Sequence, residues 1–524
     1  MKPDIIDLDG LSRTVVMLTA AEAFPALEHE FMSAKREIWA SFRIFDLTTR
    51  LRSPEALRLG DTWFDLVIDV LRRGVAIRVI ISDFDPIVRP NLHRDTWSSV
   101  RMFHAAADLA GPTTDLKVVP SSHPARTGFV PRIAVWPAAR WRLSQTASEL
   151  NALPKYQRDV NLRDMPGLAR YLRIDRKECV RPRALAFPDL IPATHHQKLS
   201  VFDRSRLVIG GLDLDERRFD DPDHERPSDE TWADVQILTE QKQAVMEAQH
   251  HLENFRSIVS GLRAPQTTGV LLRTLSRKRS GTSWYFGPKP IISEIATMHR
   301  SLAKRTRRLI YLETQFFRDR GLARSLAEAA RRNAELSLIL MLPAAPEDIA
   351  FNEKPALDVR MGEFLQSRCL RLLRRAFRER MFVGTGAQPR SADGEGYASG
   401  RDRLYGARIV YIHSKVSIFD SAAAIVSSAN LNARSLRWDT EAGILLETPE
   451  TVRSLRERIF DHWLPKDAGP EFYDDATAVA AWHDLARANR EGSPEERAGL
   501  ILPYDMKAGA ADGLPMPIIP DEMV

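Results

Sequence analysis

The sequence predicts an α/β protein of duplicated plan, with two copies of one unit building mixed or parallel sheets flanked by helices. Three observations carry that expectation. Short β-rich runs alternate with amphipathic helical stretches, the order repeats across the two halves, and each half ends in a hairpin with the pattern HxKxxxxD.

In the first half a strand is expected at 38–45 (IWASFRIF), a helix at 62–73 and a strand at 76–82 (AIRVIIS). A helix near 93–109 and a short strand at 116–120 follow. β-branched and aromatic runs suit a pleated, half-buried surface, whereas the apolar spacing of TWFDLVIDVLRR suits one face of a helix. The second half repeats the order with strand 309–316 (LIYLETQF), helix 322–332, strand 336–342 (LSLILML), helix 357–377 and strand 381–383. The halves differ between the third strand and the hairpin. There the first uses roughly 75 residues and the second roughly 30, where a connection of a few residues is usual. The excess, about 121–190, includes helical patterns at 141–150 and 168–172 and is expected to act as a lid, a binding loop or a packing insertion. The second half has instead a Gly/Ser-rich segment at 387–400, read as a flexible loop. Two domains are expected, 1–265 and 266–524.

At 524 residues the chain exceeds one ordinary core, and 44% hydrophobic with 28% charged residues is globular composition. The two cysteines, Cys179 and Cys369, lie far apart and outside any CxxC or Cys/His cluster. Neither a disulfide framework nor a zinc site is expected, and no metal or cofactor. The start, MKPDIIDLDG, lacks the basic-then-apolar pattern of a signal peptide, and no run approaches the roughly 20 apolar residues of a membrane span. The expected location is cytoplasmic or peripherally membrane-associated, with export only by a route that needs no signal peptide. A net charge of +5 fits anionic headgroups or nucleic acid and does not choose between them.

The chemistry sits in the hairpins. THHQKLSVFD carries His196, Lys198 and Asp203; YIHSKVSIFD carries His413, Lys415 and Asp420. Strand alternation puts each His and Lys, two apart, on one face. Each Asp, five past its Lys, points elsewhere and is expected to brace the hairpin turn, although it completes the catalytic triad pattern. Both hairpins reach a small-residue turn at the same offset, Gly210–Gly211 and Ser427–Ser428, followed by Asp213 and Asn430. An imidazole beside an ammonium and a turn rich in N–H groups suits a phosphate, so Gly211, Ser428, Asp213 and Asn430 are phosphate-binding candidates. Two imidazoles facing each other supply a nucleophile and a general acid, as in-line displacement at a phosphodiester requires. Asp234 and Glu441, placed similarly after the two triads, are candidates to orient the imidazoles.

HHQKLSVFD…GGLDL…RRFD with TWADV, then YLETQFF, then IHSKVSIFD…SSANLNARS…DTE, resembles the phospholipase D superfamily, in particular the eukaryotic-type enzymes that cleave phosphatidylcholine. The resemblance implies two homologous α/β/α lobes related by a pseudo-twofold, with the active site at their interface. It implies His196 as nucleophile, His413 as acid, and Lys198, Lys415 and Asn430 as phosphate ligands. It pairs Asp234 with His413 and Glu441 with His196, and brings Gln315 of the ETQ segment to the pocket. The expected function is a phospholipase D that acts on glycerophospholipids at a membrane surface, with no nucleic-acid partner and as a monomer. The alternatives are a nuclease of the same chemistry, a phospholipid synthase such as a cardiolipin synthase, or a catalytically dead scaffold. The chain departs from the family at SSAN, where GSAN is usual, and at Ala233 before Asp234, and the upstream lipid-binding modules of the eukaryotic enzymes are not expected.

Overall fold

The computed structural model describes residues 13–280, 283–351, 357–392, 400–516 and 519–524. The first lobe has strands β1 (Thr14–Leu18), β2 (Glu37–Phe42), β3 (Ala76–Ser82), β4 (Leu116–Ser121), β5 (Leu172–Ile174), β6 (Val180–Pro182), β7 (Leu199–Phe202), β8 (Arg206–Gly210) and β9 (Val235–Thr239). The second has β10 (Leu271–Arg277), β11 (Lys289–Ser293), β12 (Leu309–Thr314), β13 (Ser337–Met341), β14 (Met381–Ser391), β15 (Arg403–Leu404), β16 (Ala407–Val410), β17 (Lys415–Phe419), β18 (Ala423–Ser427), β19 (Glu441–Leu446) and β20 (Ile501–Pro503).

Seven strands form the first sheet in the order β1-β9-β8-β7-β2-β3-β4. The second sheet contains β10-β19-β18-β17-β12-β13-β14, which reproduces that order strand for strand, with β11, β16, β15 and β20 added at its flanks. The sense of pairing is reproduced too. β2, β3 and β4 run parallel, as do β12, β13 and β14, while the remaining matched pairs are antiparallel. Parallel neighbours need a crossover, and helices Trp63–Arg72, Pro90–Ala110, Arg320–Arg332 and Leu357–Phe377 supply it. Helix Trp63–Arg72 begins where Thr62 and Asp65 form a capping box, and it buries Trp63, Leu66, Val67, Val70 and Leu71. One apolar cluster holds Leu199, Val201 and Val235 of the first lobe with Val416, Ile418 and Val426 of the second, so the lobes share a core. At about 1.5–3 kcal/mol for each such side chain, separating them is strongly opposed.

The small-residue turns show how the copies diverged. Gly210 pairs with Gln236 across β8–β9, and a Cβ there would lie 2.6 Å from the Gln236 side chain. In the second lobe Ser427 pairs with Gly443, whose own Cβ would lie 2.5 Å from that of Ser427. The glycine has changed strands, so SSAN keeps the same close approach that GSAN would give.

Several element limits differ from the sequence reading. β2 stops at Phe42 and β12 at Thr314, whereas β14 runs on to Ser391. The supposed loop 387–400 is therefore strand over its first residues, and 393–399 lie outside the described residues. In the insertion the helix begins at Phe129 and reaches Ala152. Pro131 falls in its first turn, where its missing N–H costs nothing, while Pro137 is accommodated inside. The pattern at 168–172 is one short turn, Pro166–Leu168, followed by β5.

Asp203 and Asp420, counted with the catalytic triads, do not lie at the site. Each occupies the far end of its strand in the left-handed region, with φ of 49° and 52°. Asp203 accepts backbone N–H bonds from Lys35 (2.8 Å), Arg36 (2.8 Å) and Glu37 (3.0 Å), at the entry to β2. Asp420 does the same for Arg307, Arg308 and Leu309, at 2.8, 2.9 and 3.0 Å, before β12. These carboxylates clamp the hairpin to the neighbouring strand. Asp203→Ala is expected to cost about 2 kcal/mol, since three donors lose a charged acceptor in a partly wet place. Urea denaturation should show a lower midpoint with an unchanged slope.

Candidate active site

β7 and β17 are each entered through a backbone contact with the other lobe. His195 bridges Thr440 and Ile412 bridges Ala233, both in parallel sense. The His196 N–H donates to the Thr440 carbonyl at 2.8 Å, and the His413 N–H to the Ala233 carbonyl at 2.8 Å. Thr440 precedes Glu441 and Ala233 precedes Asp234, so each contact sets a carboxylate of one lobe beside the imidazole of the other. The His413 Nδ1 lies 2.6 Å from Asp234 Oδ2, and the His196 Nδ1 lies 3.2 Å from Glu441 Oε2. A carboxylate on Nδ1 fixes the tautomer and leaves Nε2 for chemistry.

Both lysines fold back onto their histidines. Lys198 Nζ donates to the His196 carbonyl at 2.7 Å and lies 3.4 Å from its ring nitrogens. Lys415 Nζ donates to the His413 carbonyl and lies 2.9 Å from His413 Nδ1. The site is deep. The carboxylate side chains are fully buried, while the His196 and His413 side chains keep 15% and 9% of their exposure, enough to meet a substrate.

Burial dominates the electrostatics. It pushes Asp234 up to about 6 against the pull of Lys415, and Glu441 up to about 7 against that of Lys198. It also drives both imidazoles well below their ordinary range, helped by the adjacent lysines, so they rest neutral. Lys415 falls to about 7 through burial, with Asp234 opposing.

The phosphate-binding candidates divide. The Gly211 and Ser428 amides donate to the Val235 and Ala442 carbonyls, so the sheet consumes them. Both residues instead touch the orienting carboxylates. A Cβ on Gly211 would lie 2.4 Å from Asp234 Oδ1, and the Ser428 hydroxyl donates to Glu441. Asp213 is a buried anion that accepts from the Ile44 N–H at 3.0 Å and lies 3.8 Å from both Lys198 and Arg43. Burial raises its pKa, but Lys198 and Arg43 outweigh that and hold it below the usual range, so it repels phosphate and anchors the Lys198 charge. Asn430, its counterpart, donates to Gln315 Oε1 at 3.2 Å, and Gln315 donates to the Tyr411 hydroxyl at 3.0 Å. Asn430 and Gln315 thus lie in one neutral chain, as a phosphate ligand and its support would.

Three neighbours had no sequence assignment. Arg43, just past β2, faces Asp213. Trp232 lies with its ring 4.3 Å from that of His413, and the Arg218 guanidinium sits 3.7 Å from the indole. Trp232 and Arg218 lie inside the TWADV and RRFD runs, yet nothing in their spacing brings them together; the fold does.

Residues 300–463 match the family model described as "Cardiolipin synthase, PLD-like domain". Phospholipase D zeta 1 of Arabidopsis thaliana is 27% identical over 206 residues, which are 34% of this chain and 18% of that protein. Among solved structures, the phosphatidylserine synthase of Haemophilus influenzae Rd KW20 aligns with a TM-score of 0.48 at 12% identity, covering 90% of this chain and 93% of that one. The polyphosphate kinase of Porphyromonas gingivalis aligns with a TM-score of 0.42 at 11% identity, covering 86% and 46%. The match to the family model places a PLD-like domain within residues 300–463, in the second lobe. Among the described residues no helix is long and apolar enough to cross a membrane.

Proposed function

We propose that this chain is a phospholipase D-type enzyme that cleaves or transfers the headgroup phosphodiester of glycerophospholipids through a phosphohistidine. One observation carries the reading: two neutral imidazoles, each with Nδ1 held by a carboxylate of the opposite lobe and each beside an ammonium. The His196 Nε2 lone pair forms a bond to phosphorus as the bond to the headgroup oxygen breaks, and His413 Nε2 gives that oxygen its proton. Water or an alcohol then yields a proton to His413, attacks phosphorus and expels His196. Lys198 and Lys415 neutralise the non-bridging oxygens, with Asn430 donating to one of them.

A second reading keeps every role and changes the acceptor to the hydroxyl of another lipid, as in a phospholipid synthase. The description of the matched family model supports it. Product analysis separates the two. Phosphatidylcholine giving phosphatidic acid indicates hydrolysis, and phosphatidyl-alcohol formed with an added primary alcohol indicates transfer. Phosphatidylglycerol giving diphosphatidylglycerol indicates a synthase. Cleavage of plasmid DNA with all lipids untouched would overturn the lipid assignment.

The pKa directions fix a pH profile. The first step needs the Glu441–His196 pair without its extra proton and the Asp234–His413 pair with one. The former is lost as pH falls through about 7, the latter as pH rises through about 6. kcat/KM is expected to follow a narrow bell with its maximum between these values, and loss of the Lys415 ammonium as pH rises through about 7 adds to the alkaline limb. A rate that climbs steadily to pH 9 would contradict the assignment.

A further inference from the structure

Large apolar side chains project from one tip of the molecule. Phe129 and Ile133, one turn apart on helix Phe129–Ala152, are 51% and 50% exposed, and Trp284 is 80% exposed. Two backbone bonds tie these segments together, from the Gly128 N–H to the Tyr285 carbonyl (2.8 Å) and from the Val130 N–H to the Ser283 carbonyl (3.2 Å). The tip thus joins the insertion of the first lobe to the β10–β11 connection of the second.

Its position follows from the topology. The insertion leaves the end of β4, which pairs in parallel with β3, and Ser82 at the end of β3 donates to the His195 carbonyl. The β10–β11 connection leaves β10 just beyond Thr274, which pairs with Glu441. Both segments therefore extend from the sheet edges that hold the two histidines.

The charge is one-sided. Arg277, Lys278 and Arg279 are consecutive and exposed, and none makes a salt bridge among the described residues; Arg279 Nε donates to the Gly287 carbonyl at 3.0 Å and its guanidinium lies 5.9 Å from the Tyr285 ring, which places the run beside the tip. Exposed aromatic and aliphatic groups beside a run of cations with no carboxylate partner match a bilayer surface, where indoles settle at the headgroup level and cations meet anionic lipid.

We propose that this tip seats the enzyme on a phospholipid bilayer. Phe129, Ile133 and Trp284 enter the headgroup–acyl boundary, and residues 277–279 bind anionic headgroups. The choice of lipid as partner rests on the proposed function; the surface itself does not. Seated this way, the sheet ends that carry His196 and His413 lie on the side of the molecule that meets the headgroup phosphates.

Flotation with vesicles of phosphatidylcholine, alone or with phosphatidylglycerol, tests the proposal on the full chain. Phe129→Ser with Trp284→Ser is expected to weaken binding to both vesicles by about tenfold or more. Arg277→Ser with Lys278→Ser and Arg279→Ser should weaken binding by about a hundredfold, on the anionic vesicles alone. Both variants should keep wild-type turnover of a monomeric short-chain phosphatidylcholine, which shows that fold and site are intact. Wild-type vesicle binding by both variants would overturn the proposal, as would a wild-type chain that binds single-stranded DNA and no vesicle. Tip-dependent binding without phospholipid turnover would refute the proposed function and leave the membrane seat standing.

Discussion

His196→Ala is expected to lower headgroup release by about five orders of magnitude or more, because no other group at the site can take its place at phosphorus. The expected loss for His413→Ala depends on the leaving group. A choline-type alkoxide needs a proton as it departs, so removal of the acid should cost about two to four orders of magnitude. A p-nitrophenolate does not need that proton, and His413→Ala should turn over the nitrophenyl ester nearly as fast as wild type. His196→Ala should be inactive on both esters. Release of choline at the wild-type rate by His196→Ala would end the phosphohistidine mechanism. Rescue of His196→Ala by the nitrophenyl ester would exchange the two roles.

The second large effect concerns the carboxylates. Glu441→Gln replaces an acceptor at His196 Nδ1 with an amide that can donate there, which favours the proton on Nε2 and removes the attacking lone pair. A loss of about four orders of magnitude in kcat is expected, comparable to tautomer reversal in a serine-protease triad. Asp234→Asn makes the same change at His413, where a proton on Nε2 is what the first step needs. Its cost should be nearer two orders of magnitude, and the alkaline limb that remains should be that of Lys415 alone, moved to lower pH because the carboxylate that supports its charge is gone. Equal losses for both would contradict the unequal roles.

Much of this was legible in the sequence because it is local. The His–Lys spacing needs only strand alternation, and the displacement of the aspartates follows from the same rule. β3 and helix Leu357–Phe377 have the expected limits because apolar periodicity and tertiary packing agree there. What was not legible depends on contacts between distant segments. Asp213 and Asn430 occupy equivalent offsets, yet one faces two cations and the other a neutral amide, and only the fold decides which. The turn residues Gly211 and Ser428 offer N–H groups in sequence, but the sheet ladders take them. The expected helix at 141–150 is the C-terminal part of helix Phe129–Ala152, the part whose Leu143, Ala147 and Leu150 pack into a core, whereas the preceding turns bury little.

The two backbone contacts that enter β7 and β17 bear on how such a molecule could arise. Each lobe lends its carboxylate to the other, so a lone lobe would hold an imidazole with nothing behind Nδ1. A lone lobe paired with its own duplicate would be complete, because every contact across an isologous interface occurs twice. Symmetry, however, gives the two imidazoles of such a pair the same surroundings, so neither is fixed as nucleophile or as acid. Joining the copies in one chain lifts that constraint. Glu441 against Asp234, Ser428 against Gly211 and Asn430 against Asp213 are the positions where this chain has used the freedom.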